Sequence, residues 1–262
     1  MSIIQAIILG LLQGITEFLP VSSSGHLEIG KVLLGANIKD SLGFTVVLHC
    51  ATVLSTIVVF RKEIADLFIG FLKFKMNDET SYVFKLLISM IPVGLVGFFL
   101  KDKIEALFEG NLLLVGSMLL LTALLLTLSY YIKHKSSRPV SYFDSLIIGI
   151  AQGVAVLPGL SRSGSTIATG LILGNNKSDV ARFSFLMVIL PILGMTLLDI
   201  KSGAFMSMQG EIIPVIAGFI TAFITGYIAC KWMISLVKKG KLIWFAVYCA
   251  LVGLISIGAS FL

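Results

Sequence analysis

The sequence predicts an all-α polytopic membrane protein with an inverted-topology duplication, in which each half is a re-entrant helix hairpin plus three transmembrane helices. Composition, an internal repeat and the distribution of loop charge predict it. Of 262 residues, 57% are hydrophobic and 13% charged, and the mean hydropathy of +1.01 excludes a water-soluble domain. The apolar segments run to roughly 20 residues, the length a helix needs to cross about 30 Å of hydrocarbon. They lack the polar alternation of a membrane β-barrel. The first helix opens at Ile3 with no basic stretch before it and no small-residue cleavage site after it, so it reads as retained rather than as a removable signal. Cys50, Cys230 and Cys249 are odd in number, far apart and set in apolar runs, which fits packing and neither a disulfide framework nor a metal cluster. The net charge of +6 sits in short loops, so it is topological and excludes nucleic acid as a partner.

The chain aligns with itself at one ungapped offset. Gly10 falls on Gly149, Gln13 on Gln152, Gly14 on Gly153, Ser22 on Ser161, Ser24 on Ser163 and Gly25 on Gly164. The register continues through Leu34 with Leu173, Gly35 with Gly174, Asn37 with Asn176, Asp40 with Asp179 and Phe44 with Phe183. So many polar and glycine matches in an apolar chain make a single membrane domain of two repeats, 1–137 and 138–262. Each repeat opens with an apolar helix, Ile3 to Leu19 and Tyr142 to Leu157. A Pro-, Gly- and Ser-rich break and a short segment ending at Asn37 or Asn176 follow. Three apolar spans complete each half: Leu42 to Phe60, Tyr82 to Leu100 and Leu112 to Ile132, then Val180 to Ile200, Ile212 to Leu236 and Leu242 to Leu262. Between the first two lies Glu63 to Met76, whose Ile64, Leu67, Phe68, Phe71 and Leu72 share one helical face and predict a helix in the membrane surface.

Loop charge decides whether the opening helices cross. If each turns back as a hairpin, one side carries Lys31, Lys39, Lys101, Lys103 and Lys201. The other carries Arg61, Lys62, Lys73, Lys75, Lys85, Lys133, Lys135, Arg138, Lys177, Arg182, Lys231, Lys238, Lys239 and Lys241. That division is five against fourteen, and Arg162, the last of the 20 Lys and Arg residues, is left inside the membrane. If the opening helices cross, the charges spread almost evenly, so the re-entrant arrangement fits the positive-inside rule. An odd number of spans per half inverts the second half and puts both termini outside. The two breaks then enter from opposite faces and must meet within protein, because irregular backbone is not tolerated against lipid.

The first break carries Gln13, Glu17, Ser22, Ser23, Ser24, Gly25 and His26; the second carries Ser161, Arg162, Ser163, Gly164, Ser165 and Thr166. An ionisable side chain at mid-bilayer costs about 2.5 to 3.5 kcal/mol, so Glu17 and Arg162 need partners. Gln13 and Glu17 stack one turn apart on one face. The serines precede short helices whose free N–H groups favour an anion, and Arg162 offers a planar fork matched to phosphate oxygens. Ser23 and Ser161, in the breaks themselves, read as ligand contacts; Ser24, Ser165 and Thr166 read equally as hydroxyls bonded back to the preceding turn. His26 follows the serine turn and shares its polar cluster with Glu17, which fits acid–base chemistry. His49, alone in an apolar span, reads as a satisfied structural residue. Glu28, Asp199 and Lys85 read as boundary or solvated residues, and Pro92, Pro191 and Pro214 as helix kinks. Opposite Glu17, Ser23 and His26 stand Val156, Arg162 and Ser165, so one half supplies acid and base and the other the cation.

The stretch from Gln13 through Glu17, Phe18, Leu19, Pro20, Val21 and Ser22-Ser23-Ser24-Gly25-His26 resembles the first signature of the bacterial undecaprenyl-diphosphate phosphatase family, also called the bacitracin resistance protein family. Pro158-Gly159-Leu160-Ser161-Arg162-Ser163-Gly164 resembles the second. Gln13 stands where some members have Glu, which removes one carboxylate. The resemblance implies hydrolysis of undecaprenyl diphosphate to the monophosphate and inorganic phosphate, recycling the cell-wall carrier lipid and conferring bacitracin resistance. It implies a multi-pass protein of the bacterial cytoplasmic membrane, with a site open to the outer face. The matching catalytic positions are Glu17, Ser23, His26 and Arg162, and the substrate-binding ones are Gln13, Ser22, Ser24, Gly25, Ser161, Ser163 and Gly164. A divalent cation, Mg²⁺ or Ca²⁺, is implied as well, with Glu17 as its carboxylate ligand. Arg162 and the short-helix N–H groups would hold the transferring phosphoryl. The nucleophile is open among Ser23, His26 and metal-bound water. The expected partners are the polyprenyl diphosphate and the bilayer, with a homodimer left open. Inverted repeats with broken helices also fit a polyprenyl-phosphate flippase or an ion-coupled transporter, the alternative reading.

Overall fold

The computed structural model describes residues 1–35, 41–100, 103–104, 107, 111–132, 137–201 and 212–261. Asn37, Lys39, Asp40, Lys101, Lys133 and Lys135 lie outside the described residues, as do the side chains of Asp199 and Lys201. Among the described residues the chain forms twelve helices: α1 Ile3–Phe18, α2 Ser23–Leu33, α3 Ser41–Val59, α4 Arg61–Phe71, α5 Asp78–Phe99 and α6 Leu112–Tyr131, then α7 Tyr142–Val154, α8 Arg162–Ile172, α9 Lys177–Leu186, α10 Ile189–Lys201, α11 Ile212–Lys239 and α12 Ile243–Ala259. Their only extended pairing is an isolated bridge between Arg138 and Asn175.

The opening helices start alike. Ser2 accepts from the Gln5 N–H at 3.2 Å while its own N–H donates to Gln5 Oε1 at 2.8 Å. Ser141 and Asp144, the repeat-equivalent pair, close the same reciprocal cap at 3.1 and 3.0 Å. Asp144 also accepts from Arg138 Nη2 at 2.8 Å, which anchors the start of α7. With 16 and 13 residues, α1 and α7 are short of the membrane-crossing helices. They reach about 24 and 20 Å at 1.5 Å per residue, less than about 30 Å of hydrocarbon. Each turns at its serine-rich break and packs back on the short helix that follows, α1 on α2 and α7 on α8.

Among the described residues four helices are long and apolar enough to cross a membrane: α5, α6, Lys177–Leu197 (α9 running into α10) and α11; the bent pair α3–α4 would make a fifth only if it is one span. The α12 helix, with 17 residues, is slightly shorter. The α4 helix leaves α3 at 75°, burying Leu67 and Gly70 and exposing Phe68, Ile69 and Leu72, as a helix lying in a membrane surface does. The span expected over Val180 to Ile200 is Lys177–Leu197, with a turn at Met187 between α9 and α10. Two expectations are corrected. Pro214 stands in the first turn of α11, where a missing N–H costs nothing, so it is not a kink, whereas Pro191 follows the break at Met187 by one turn and Pro92 is inside α5. Glu28, expected at the boundary or in solvent, instead pairs with Lys31 at 2.9 Å, and Lys31 is buried on α2.

Each opening helix docks on a span of the other repeat, α1 on α11 and α7 on α5. Repeat-equivalent glycines permit it: a Cβ on Gly10 would lie 2.5 Å from the Gly218 carbonyl oxygen, and one on Gly149 would lie 2.3 Å from that of Ser89. The α6 and α12 helices cross where Gly116 and Gly253 meet backbone to backbone. Small residues at helix crossings are how apolar helices associate without a hydrophobic drive between them. This reciprocal docking brings the two serine-rich turns into contact.

Candidate active site

The first turn follows from its end residues. Helix α1 stops because Leu19 is extended and Pro20 supplies no N–H. Ser22 then adopts a left-handed backbone at φ 69, and its hydroxyl accepts from the Gly25 N–H at 3.3 Å, starting α2 at Ser23. In the second turn Gly159, at φ 89, lies so close to α6 that a Cβ would fall 2.6 Å from the Val115 carbonyl oxygen. Ser161 caps α8 by accepting from Gly164 N–H at 3.1 Å, which makes Arg162 its first residue. Thr122 of α6 accepts from the Ser161 N–H at 3.0 Å and ties the turn down. The two turns touch directly, Gly159 N–H donating to Ser24 Oγ at 3.5 Å and Ser163 Oγ to the Leu19 carbonyl at 3.2 Å.

Glu17, in the last turn of α1, is the hub. Its Oε2 accepts from Ser23 Oγ at 2.6 Å and from Gln13 Nε2 at 2.9 Å. Its Oε1 accepts from the Arg162 guanidinium, reaching across from the other turn. The Glu17 side chain is only 6% exposed and that of Arg162 28%, so the arginine keeps part of its fork toward open space. A cleft opens beside them, walled by Thr52 and Thr56 of α3, Ser163 of α8 and Ser184 of α9.

The histidines are arranged otherwise than expected. His26 makes no hydrogen bond or ion pair with Glu17 among the described residues. Its Nδ1 bonds the Ser22 carbonyl one turn back at 2.8 Å, which holds the ring on its own helix, and its Nε2 bonds Tyr248 Oη of α12 at 2.6 Å. His49, expected as an inert structural residue, stands beside the carboxylate instead, Nε2 3.8 Å from Glu17 Oε2, with Nδ1 on the Thr45 carbonyl at 2.9 Å. A signal for it was present in the sequence, since Thr45, His49, Thr52 and Thr56 recur at helical spacing along one face of α3. Tyr248 and Thr122 had no such signal. Of the remaining candidates, Ser22 and Ser161 spend their hydroxyls on helix starts, while Ser163 lies 3.4 Å from Ser161 and Ser24 lies 3.3 Å from Ser22. Gly25 and Gly164 are buried packing positions, a Cβ on Gly25 meeting Val115 at 3.2 Å and one on Gly164 meeting Ser161 at 3.0 Å.

For a metal, Glu17 is joined by one further oxygen. Gln13 is fully buried, its Nε2 is committed to Glu17, and its Oε1 has no partner. Carboxylate and amide oxygens suit a hard divalent cation, so Gln13 and Glu17 fit two places in the shell of Mg²⁺ or Ca²⁺. Among the described residues no group of three or more His, Cys, Asp or Glu forms a complete cage, which leaves the remaining places to ligand oxygens and water.

Residues 6–255 match the model of the bacitracin resistance protein BacA family. The chain belongs to that family. It is 59% identical to an undecaprenyl-diphosphatase of Bacteroides fragilis over 262 residues, covering 98% of this chain and 97% of the relative. It is 57% identical to one of Parabacteroides distasonis over 265 residues, all of both chains, and 54% identical to one of Christiangramia forsetii over 259 residues, 98% of each. The BacA match runs through both serine-rich turns, so the converging residues Glu17, Ser23 and Arg162 are inside it.

Proposed function

We propose that this chain is an undecaprenyl-diphosphate phosphatase, releasing inorganic phosphate and leaving the lipid monophosphate. The observation that carries the reading is the hydrogen bond from Ser23 Oγ to Glu17, with Arg162 on the other carboxylate oxygen. A serine hydroxyl is a poor nucleophile until a base takes its proton, and Glu17, not His26, holds that position. Arg162, with part of its fork free, is the group that receives the terminal phosphate, joined by the first N–H groups of α8. The polyprenyl tail stays in lipid between helices.

The chemistry then follows. Ser23 Oγ bonds the terminal phosphorus, its proton passes to Glu17 Oε2, and the bridging P–O bond breaks to free the lipid monophosphate. Water cleaves the phosphoserine; Ser23 regains its proton from Glu17, and phosphate leaves with the elements of water. His26, one turn along α2 from Ser23, is the acid for the leaving oxygen: its charged form gives up the Nε2 proton and takes one back from the attacking water. Gln13 and Glu17 would hold a divalent cation, which when bound would neutralise charge on the diphosphate oxygens. The site opens to the outer face of the membrane, with both termini outside, as the charge asymmetry of the loops favours.

The test is release of inorganic phosphate from a polyprenyl diphosphate by purified protein in detergent. Ser23→Ala and Glu17→Gln should each lower kcat by at least about 10²-fold, the scale of a lost acid–base or nucleophilic group. Transport needs two compartments and hydrolysis does not, so a wild-type protein inactive in micelles would return the choice to a flippase or carrier.

A further inference from the structure

We infer that Tyr248 is a positioning residue of the site, fixing the tautomer and direction of His26. A backbone carbonyl only accepts, so the 2.8 Å contact between His26 Nδ1 and the Ser22 oxygen puts a proton on Nδ1. In the neutral ring Nε2 is then a bare lone pair, and the group facing it at 2.6 Å is the Tyr248 hydroxyl, which donates. The two rings lie 14° from parallel with centroids 5.6 Å apart and meet edge to edge across this hydrogen bond. Tyr248 comes from the far end of the chain and is 42% exposed, while its neighbour Cys249 is buried with its thiol donating to the Pro20 carbonyl at 3.3 Å. That contact pins α12 to the same break that carries His26, so the pairing is built rather than incidental.

A phenol hydroxyl can donate to the neutral ring and accept from the charged one. Tyr248 therefore supports His26 in both protonation states without turning it, and a phenylalanine supports neither. In the resting molecule the hydroxyl also covers the nitrogen that would otherwise be free to react. The kinetic part of the inference rests on the phosphatase reading; the tautomer and the shielding do not.

Tyr248→Phe keeps the ring and removes the hydroxyl. Its kcat for phosphate release should fall roughly tenfold or more, part of the 10²- to 10⁴-fold that a positioned acid–base group contributes, with KM within about twofold of wild type. His26 should meanwhile acylate several-fold faster with diethyl pyrocarbonate, which attacks an imidazole lone pair, as read by peptide mass spectrometry. Unchanged kcat together with unchanged labelling overturns the inference. A measurement on the wild type stands apart from both folding of the variant and turnover: nitrogen-15 spectra of histidine-labelled protein should show neutral His26 with its proton on Nδ1. A proton on Nε2 overturns the assignment, whereas absent phosphate release with the Nδ1 form present sinks the phosphatase reading and leaves the pairing standing.

Discussion

Ser23 and Arg162 occupy equivalent positions of the sequence repeat, yet they meet on the two oxygens of one carboxylate that has no acidic counterpart. That is a symmetric scaffold used asymmetrically, and it separates fold from chemistry at Arg162. Arg162→Lys retains a charge for Glu17, so thermal unfolding in detergent should shift by only a few degrees, while phosphate release falls by about 10²-fold or more because a point charge replaces a bidentate fork. Arg162→Ala, which leaves Glu17 buried and unpaired, should cost about 3 to 5 kcal/mol of stability as well. Glu17, Ser23 and Arg162 were legible in the sequence because polarity is conspicuous in an apolar chain. The partnership of His26 was not, since Tyr248 lies over two hundred positions away and an aromatic residue near the end of an apolar helix carries no mark of its use. His49 was legible only as one of a stripe with Thr45, Thr52 and Thr56, a pattern visible when polar residues rather than apolar ones are plotted on the helix.

At the scale of elements, the breaks were readable as breaks because proline, glycine and serine interrupt apolar helices there, and the structure turns the chain at both. The turn between α9 and α10 was readable in Pro191, which has no N–H for the Met187 carbonyl four residues before it. The second turn depends on one residue more than any other. Gly159→Ala must place a side chain in left-handed backbone, about 1 to 2 kcal/mol, and against the α6 backbone at a distance real Cβ atoms do not adopt. Lowered thermal stability and lost phosphate release are expected together, because displacing this turn moves Arg162 off Glu17. A larger residue at Gly10, such as Gly10→Leu, should separate α1 from α11 and give the same paired loss.

For the whole molecule, the uneven division of basic loop residues predicts that both ends of the chain face away from the cytoplasm. Alkaline phosphatase fused to either terminus should be active in cells, and fused after residue 75, in the loop beyond α4, inactive; an inactive terminal fusion would reverse the orientation. The docking of α1 on α11 also sets an order of events during synthesis. The opening hairpin leaves the ribosome long before the helix that receives it, so it must wait, with its glycine face uncovered, until translation has passed Gly226, whose backbone N a Cβ on Gly14 would approach to 2.8 Å. A ribosome that stops within the second half therefore yields no partial enzyme. Two fragments divided between 132 and 138, made in one cell, hold between them every surface required to reassemble one.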